Sequence, residues 1–293
     1  MNILLTGASG FLGSNIAVRL QAAGHQVRAV CRTQGSDFAQ MLEPSDWLPL
    51  LVGVDAVINC VGIIAQTRAQ RFQTLHTRAP QALFSACAAC GVRRVVQISA
   101  LGADAQAFSA YHCSKLAADD YLRSLELDWF VLRPALIYGH GGASAKLFMA
   151  LARLPLIPII GAGQQALQPV HVRDVVDCVL ACLVAPQTRQ TLDIVGAETL
   201  TFSQWLQTLR IAQGMAAGHW LNIPLRLALA STWLGRYCSP LLQPDNLHML
   251  QASYQGDSCG FSALLGRSPL AFTAELLHQD ANCRQTGSTS CSI

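Results

Sequence analysis

The chain has 293 residues, 52% hydrophobic and 13% charged, with a formal net charge of +3. So apolar a composition excludes intrinsic disorder for the body of the chain, and the small charge, with no basic stripe, does not suggest a nucleic-acid binder. The length allows one large α/β domain, or a large one with a smaller appendage.

Asn2–Thr6 is a short apolar run that ends at a glycine turn, which predicts a buried strand. Residues 11–23 show helical periodicity and stop at Gly24. Further strands are predicted at 27–31, 55–61, 94–99 and 129–132, with helices near 73–90 and 110–126. The strands are continuous apolar runs alternating with helices, the pattern of a parallel sheet covered on both faces. Residues 32–47 are too few for a full helix–strand unit, so the sheet is expected to be truncated there.

After Gly139 the pattern loosens. A helix near 145–153, a strand at 157–160, a helix at 173–185, a strand at 191–195 and a helix at 202–213 are predicted. Residues 218–270 read as helical in parts, broken by Pro224, Pro240 and Pro244, and the polar stretch from 281 reads as frayed. The expected division is a dinucleotide-binding domain over 1–200, a mostly helical region over 201–280 packed on it, and a disordered tail over 281–293. Residues 140–170 are expected to contribute to the substrate side.

No basic leader or apolar stretch of signal length opens the chain, so a cytoplasmic protein with its eleven cysteines reduced is expected. The longest apolar run, near 147–163, is interrupted by Arg153, Pro155 and Pro158. No membrane-spanning helix is read, and any membrane association would be peripheral. Cys87 and Cys90 form a CxxC without the second pair zinc needs, and Cys178 and Cys182 lie four apart on a helix. Both pairs read as core residues, and no metal site is expected.

Three motifs carry chemistry. Gly7, Gly10 and Gly13 join the first strand to the first helix in TGASGFLG. They allow a tight turn, close approach of the backbone to a pyrophosphate, and close helix packing, with the helix N-terminus facing the anion. This predicts a dinucleotide-binding, Rossmann-type doubly wound α/β fold, with a smaller C-terminal region on the substrate side, rather than a plain structural turn. The second strand ends at Arg32 with no carboxylate before Asp37, which favours NADP(H) over NAD(H). The plainer reading of Arg32 is a solvated arginine. Tyr111 and Lys115 stand four apart on one helix face, where the ammonium is expected to lower the phenol pKa. Lys115 is one of only two lysines, which sets it above a packed tyrosine beside a snorkelling lysine.

With these motifs in order, together with DAVINCVG at 55–62, ISALGAD at 98–104, RPALIYG at 133–139 and PVHVRDV at 169–175, the chain resembles the short-chain dehydrogenase/reductase superfamily over roughly residues 1–200. The branch is the extended and atypical, epimerase/dehydratase-like one. The wording is similar to its atypical members, including the nucleotide-binding accessory subunit of respiratory complex I and its bacterial relatives. The resemblance implies Tyr111 as general acid/base and Lys115 as ribose binder. It also implies a cofactor site of Gly7, Ser9, Gly10, Phe11, Leu12, Gly13, Arg32, Val61, Gly62, Ser99, Lys115 and Pro134. One departure matters: where the family carries a catalytic hydroxyl, this chain reads Ser99-Ala100, with Ala100 at the hydroxyl position. His171 matches a family motif, as a structural or a catalytic residue, and Asp174 reads as an N-terminal helix carboxylate. The expected function is NAD(P)-dependent hydride transfer between a carbonyl and an alcohol carbon of a small-molecule substrate. The alternative is a non-catalytic NADP(H)-binding protein that serves a structural or sensing role in an assembly.

Overall fold

The computed structural model describes residues 1–31, 37–139, 141–228, 230 and 244–277. Arg32, Pro240 and the tail from 281 lie outside them. The first half runs β1 (Asn2–Thr6), α1 (Phe11–Ala22), β2 (Gln26–Val30), α2 (Pro44–Leu51), β3 (Ala56–Asn59), α3 (Ala79–Cys90), β4 (Arg94–Ile98), α4 (Ala110–Arg123) and β5 (Asp128–Pro134). There follow β6 (Ile137–Tyr138), α5 (Ala143–Ala152), β7 (Leu156–Ile160), β8 (Ala166–Leu167), β9 (Val170–His171), α6 (Val172–Val184) and β10 (Gln190–Ile194). The last elements are β11 (Leu200–Thr201), α7 (Phe202–Ile211), β12 (His219–Ile223), α8 (Pro244–Gln251) and α9 (Cys259–Leu265).

Six strands form the main sheet in the order β2-β1-β3-β4-β5-β10, all parallel. Successive side chains of a strand point to opposite faces. Ile3, Leu5, Ile58 and Val96 therefore pack with Ile16 of α1, Val175 of α6 and Phe261 of α9. Leu4, Val57 and Val95 pack with Trp47 of α2, Phe84 of α3 and Leu122 of α4. Both faces are covered, which is why the strands read as unbroken apolar runs. The truncation expected after β2 is present: β2 is the sheet edge, and the eight-residue α2 leads back across β1 to β3. That reversal places a topological switch point, and a crevice, at the carboxyl ends of β1 and β3.

Two local readings are corrected. The helix expected over 73–90 begins as a π-helical turn, Gln73–Arg78, and becomes regular only at Ala79. Pro80 has no N–H to give to the preceding turn, and its ring crowds the carbonyl four residues back. Within 218–270, residues 219–223 are a strand rather than helix. β12 pairs in parallel with β7, His219 opposite Leu156, and four of its five residues are exposed, so no periodicity of burial marked it.

The C-terminal part builds a third core, in which Tyr138, Trp205 and Phe272 meet at ring distances of 4.2–5.5 Å. Asp174 does more than sit in the first turn of α6. It is fully buried, accepts the Leu270 N–H at 2.7 Å and pairs with Arg267 at 2.7 Å, tying the C-terminal segment to the helical layer of α1 and α6. Cys178 and Cys182 are core residues. Cys87 is buried as expected, but Cys90, at the last residue of α3, is exposed.

Candidate functional site

The glycine loop begins where β1 ends. Gly7 has φ +70°, and a Cβ there would lie 2.9 Å from the Cys60 carbonyl carbon. At Gly13 a Cβ would lie 2.1 Å from the Gly7 oxygen, so only glycine lets α1 start this close to the loop. Gly10 differs. It has extended backbone at the N-cap of α1, makes no side-chain cap, and its Cβ would meet only the Gly7 oxygen at 3.2 Å. The first N–H groups of a helix have no intrahelical partner. Those of Phe11, Leu12 and Gly13 therefore make a cradle that could hold a pyrophosphate. Ser9 is exposed beside it, whereas the Leu12 side chain packs on the core and offers only its backbone.

Behind the loop, Lys115 of α4 is 3% exposed and donates to the carbonyls of Val61 at 3.1 Å and Ile98 at 2.9 Å. A Cβ on Gly62 would lie 3.3 Å from its Nζ. Val61, Gly62 and Lys115 thus meet at the tips of β3 and β4. Four residues further along α4, Asp119 is fully buried and accepts the Ser99 hydroxyl. Burial pushes the Asp119 carboxyl up to about 6, against the Ser99 hydrogen bond and the Lys115 charge. Burial likewise pulls Lys115 down to about 8, opposed by Asp119. Thr6, Asn59 and Gln97 extend this polar chain across the strands at 2.5 and 2.7 Å. The Ser99 hydroxyl is therefore turned into the interior, not toward a cofactor. Asp119 was overlooked in the sequence, although its spacing from Lys115 repeats that of Lys115 from Tyr111.

Tyr111 is half-buried, with the rings of His112, His76 and Phe72 at 5.1, 5.4 and 5.8 Å. Burial, with the Asp119 charge second, pushes its phenol up to about 12. This corrects the expectation of a lowered value: Lys115 is engaged by two carbonyls, and the negative partner on the same helix opposes ionisation. Tyr111, Ala100, Pro134 and Phe11 line one cavity of about 730 Å³, to which β7, β8, α5 and α8 also contribute. Ala100 is thus on the wall where a hydroxyl was expected. The wall also holds Tyr254, whose hydroxyl lies 3.4 Å from His112 Nδ1; nothing local in the sequence marked it. His171 caps α6 by accepting the Arg173 N–H at 3.2 Å, and packs edge-on against Tyr138. Among the described residues no three His, Cys, Asp or Glu side chains gather for a metal, and no helix is long and apolar enough to cross a membrane.

Two buried histidines make stability pH-dependent. His76 lies in the π-helical turn, accepts the Ile63 N–H at 3.0 Å and meets Ser114 Oγ at 3.0 Å. Burial drives it down to about 2, and His112 down to about 4, from 6.5. Between about pH 6.5 and 4 the unfolded chain therefore binds two protons the folded one refuses. Asp119 works the other way, binding one extra proton in the folded chain between about 6 and 3.8. The balance still favours proton uptake by the unfolded chain, so stability falls on acidification. The melting temperature should drop from about pH 7 to about pH 5, less steeply in His76→Gln, whose amide can still accept the Ile63 N–H. Equal slopes in the two proteins would reject this assignment.

Residues 3–195 match the model of the NAD dependent epimerase/dehydratase family. A ceramide reductase of Caulobacter vibrioides is 28% identical over 184 residues, covering 59% of this chain and 57% of that protein. The mitochondrial NADH dehydrogenase [ubiquinone] 1 alpha subcomplex subunit 9 of Arabidopsis thaliana is 27% identical over 195 residues, 60% of this chain and 48% of that one. The matched part is thus about half the length of these curated relatives. Among solved structures, a Bacillus cereus UDP-glucuronic acid 4-epimerase in complex with UDP-glucuronic acid and NAD superposes with a TM-score of 0.71. It is 18% identical, with 98% of this chain and 99% of that one covered, a likeness of fold.

Proposed function

Because the chain belongs to the NAD dependent epimerase/dehydratase family, we propose that it is an NAD(P)-dependent oxidoreductase of the short-chain dehydrogenase/reductase type, interconverting a carbonyl and an alcohol. The observation that carries the reading is the meeting of Phe11, Tyr111 and Pro134 on one cavity, with Lys115 immediately behind on the same helix as Tyr111. When bound, the cofactor supplies or accepts the hydride. The backbone of Gly7, Ser9, Gly10, Phe11, Leu12 and Gly13 would hold its pyrophosphate; Val61, Gly62 and Lys115 would border its ribose, and Pro134 its nicotinamide. Tyr111 would give its phenolic proton to a carbonyl oxygen, or take one from an alcohol. A phenol held near 12 keeps its proton at neutral pH, the form that reduction requires. The similarity to a protein named as a ceramide reductase supports that direction.

The cradle is tested by a pair of substitutions. Gly10→Val leaves a foldable backbone but fills the approach to the loop, so a folded protein that has lost nucleotide binding is expected. Gly13→Val drives a Cβ into the Gly7 carbonyl and should fail to fold stably. NADPH affinity by fluorescence titration decides: a folded Gly10→Val protein with unchanged affinity overturns the reading. Preference for NADP(H) rests on Arg32, whose guanidinium would pair with the 2′-phosphate. Arg32→Asp should reverse the ratio of NADPH to NADH affinities, and tighter binding of NADH by the wild type defeats the preference.

Ala100 favours a second reading, a non-catalytic NADP(H)-binding protein in an assembly, because no hydroxyl stands at that point of the wall. Protein that purifies with NADP(H) bound and turns over no carbonyl or alcohol would establish it.

A further inference from the structure

The cavity beside Tyr111 is lined mostly by apolar side chains, with a cluster of polar rings at Tyr111. Among the described residues its wall carries no Asp, Glu, Lys or Arg. Its polar groups concentrate where Tyr111, His112 and Tyr254 stand together, successive rings 5.1 and 5.0 Å apart. Of the three other polar wall residues, Ser253 Oγ accepts the Ala166 N–H at 3.1 Å, Gln168 Oε1 accepts the Gly256 N–H at 2.8 Å, and Asn246 stands on α8. The apolar part of the wall includes Leu147 and Leu151 of α5, Pro158 and Ile160 of β7, Ile223 of β12 and Leu250 of α8.

A nucleotide sugar would bring a diphosphate into this space. Burying such charge without a cation costs several kcal/mol per ion. The nearby cation, Lys115, is held by two strand carbonyls. The volume of about 730 Å³ suits roughly two dozen water-sized groups, at ~30 Å³ each. Resting on the oxidoreductase reading, we propose that the substrate is a ketone or secondary alcohol on a long alkyl chain, its oxygen at Tyr111 and its chain along α5, β7 and α8. In the reducing direction the carbonyl carbon gains a hydride with both electrons, and the C=O π bond breaks. The oxygen takes the Tyr111 proton, the nicotinamide is oxidised, and water returns a proton to the phenolate.

The test is a homologous series of methyl ketones, from butanone through 2-decanone to 2-octadecanone, with UDP-glucose as the polar arm. NADPH oxidation and the melting temperature in the presence of NADP(H) are both read. KM should fall about fourfold per added methylene until the cavity is full, and UDP-glucose should neither react nor shift the melting temperature. Leu147→Asp, which puts a carboxylate on the apolar wall, should raise KM for 2-octadecanone at least tenfold. Ala166→Phe, should the first variant not fold, should move the optimum to shorter ketones. A KM independent of chain length, or turnover of UDP-glucose, overturns the proposal while the oxidoreductase reading stands. A melting shift that grows with chain length but comes with no turnover upholds the ligand class and defeats the oxidoreductase reading instead. No NADP(H) binding at all defeats both.

Discussion

Tyr111→Phe is expected to slow turnover by about 10²-fold or more, the scale of general acid–base catalysis, while nucleotide affinity stays within a few-fold of the wild type. The substitution removes one oxygen from a half-buried ring and leaves the aromatic contacts with Phe72, His76 and His112 in place. Loss of fold is therefore not the expected cause of a loss of rate. The phenol near 12 adds a second signature. The wild-type rate of carbonyl reduction should hold up well above neutrality, since the proton is not lost until strongly alkaline pH. Steady-state rates of both proteins across that range, with NADPH affinity measured separately, decide the matter. Full activity in Tyr111→Phe would remove the phenol from the mechanism and leave the fold untouched.

Lys115→Met is expected to have a larger structural effect than a ribose contact alone would give. It strips a donor from two buried carbonyls and leaves Asp119 without its positive neighbour. Leaving a buried carbonyl unsatisfied costs about 1–3 kcal/mol, and the Asp119 charge loses an opposing charge besides. Adding Asp119→Asn should recover part of that cost, because a neutral amide needs no counter-charge in the interior. The two substitutions should thus be non-additive in denaturant unfolding. Simple additivity would show that Lys115 and Asp119 do not depend on each other. Nucleotide affinity should fall in both lysine variants whether or not stability returns.

The sheet was legible because its inner strands, β1, β3 and β5 above all, carry continuous apolar runs between glycine or helix signals, and the two-sided cover follows from that. The truncation after β2 could be read from counting residues. The glycine loop was legible because its glycines are demanded by backbone contacts at Gly7 and Gly13, which local spacing records. What escaped was set by distance along the chain. β12 depends on β7, 63 residues before it in register, and Tyr254 reaches the cavity from beyond α8. The electrostatics of the site escaped for a different reason. Tyr-x-x-x-Lys predicts a lowered phenol pKa only while the ammonium is free to face the ring, and here it faces strand carbonyls, with Asp119 one turn further on.

The bond between Asp174 and the segment Arg267–Leu270 bears on how the molecule comes off the ribosome. All six strands of the main sheet have been synthesised by residue 194, yet α6 at that moment carries a carboxylate whose partners, Arg267 and Leu270, lie up to 96 residues further along the chain and are still to be made. Phe261, which seals the same layer against β10, is also still to come. An uncompensated charge in that layer would hold the emerging sheet short of its final packing. Residues 1–200 hold the glycine loop but not the counter-charge of their own core, and the stretch from Phe261 to Leu270 arrives as a keystone that closes an arch already standing.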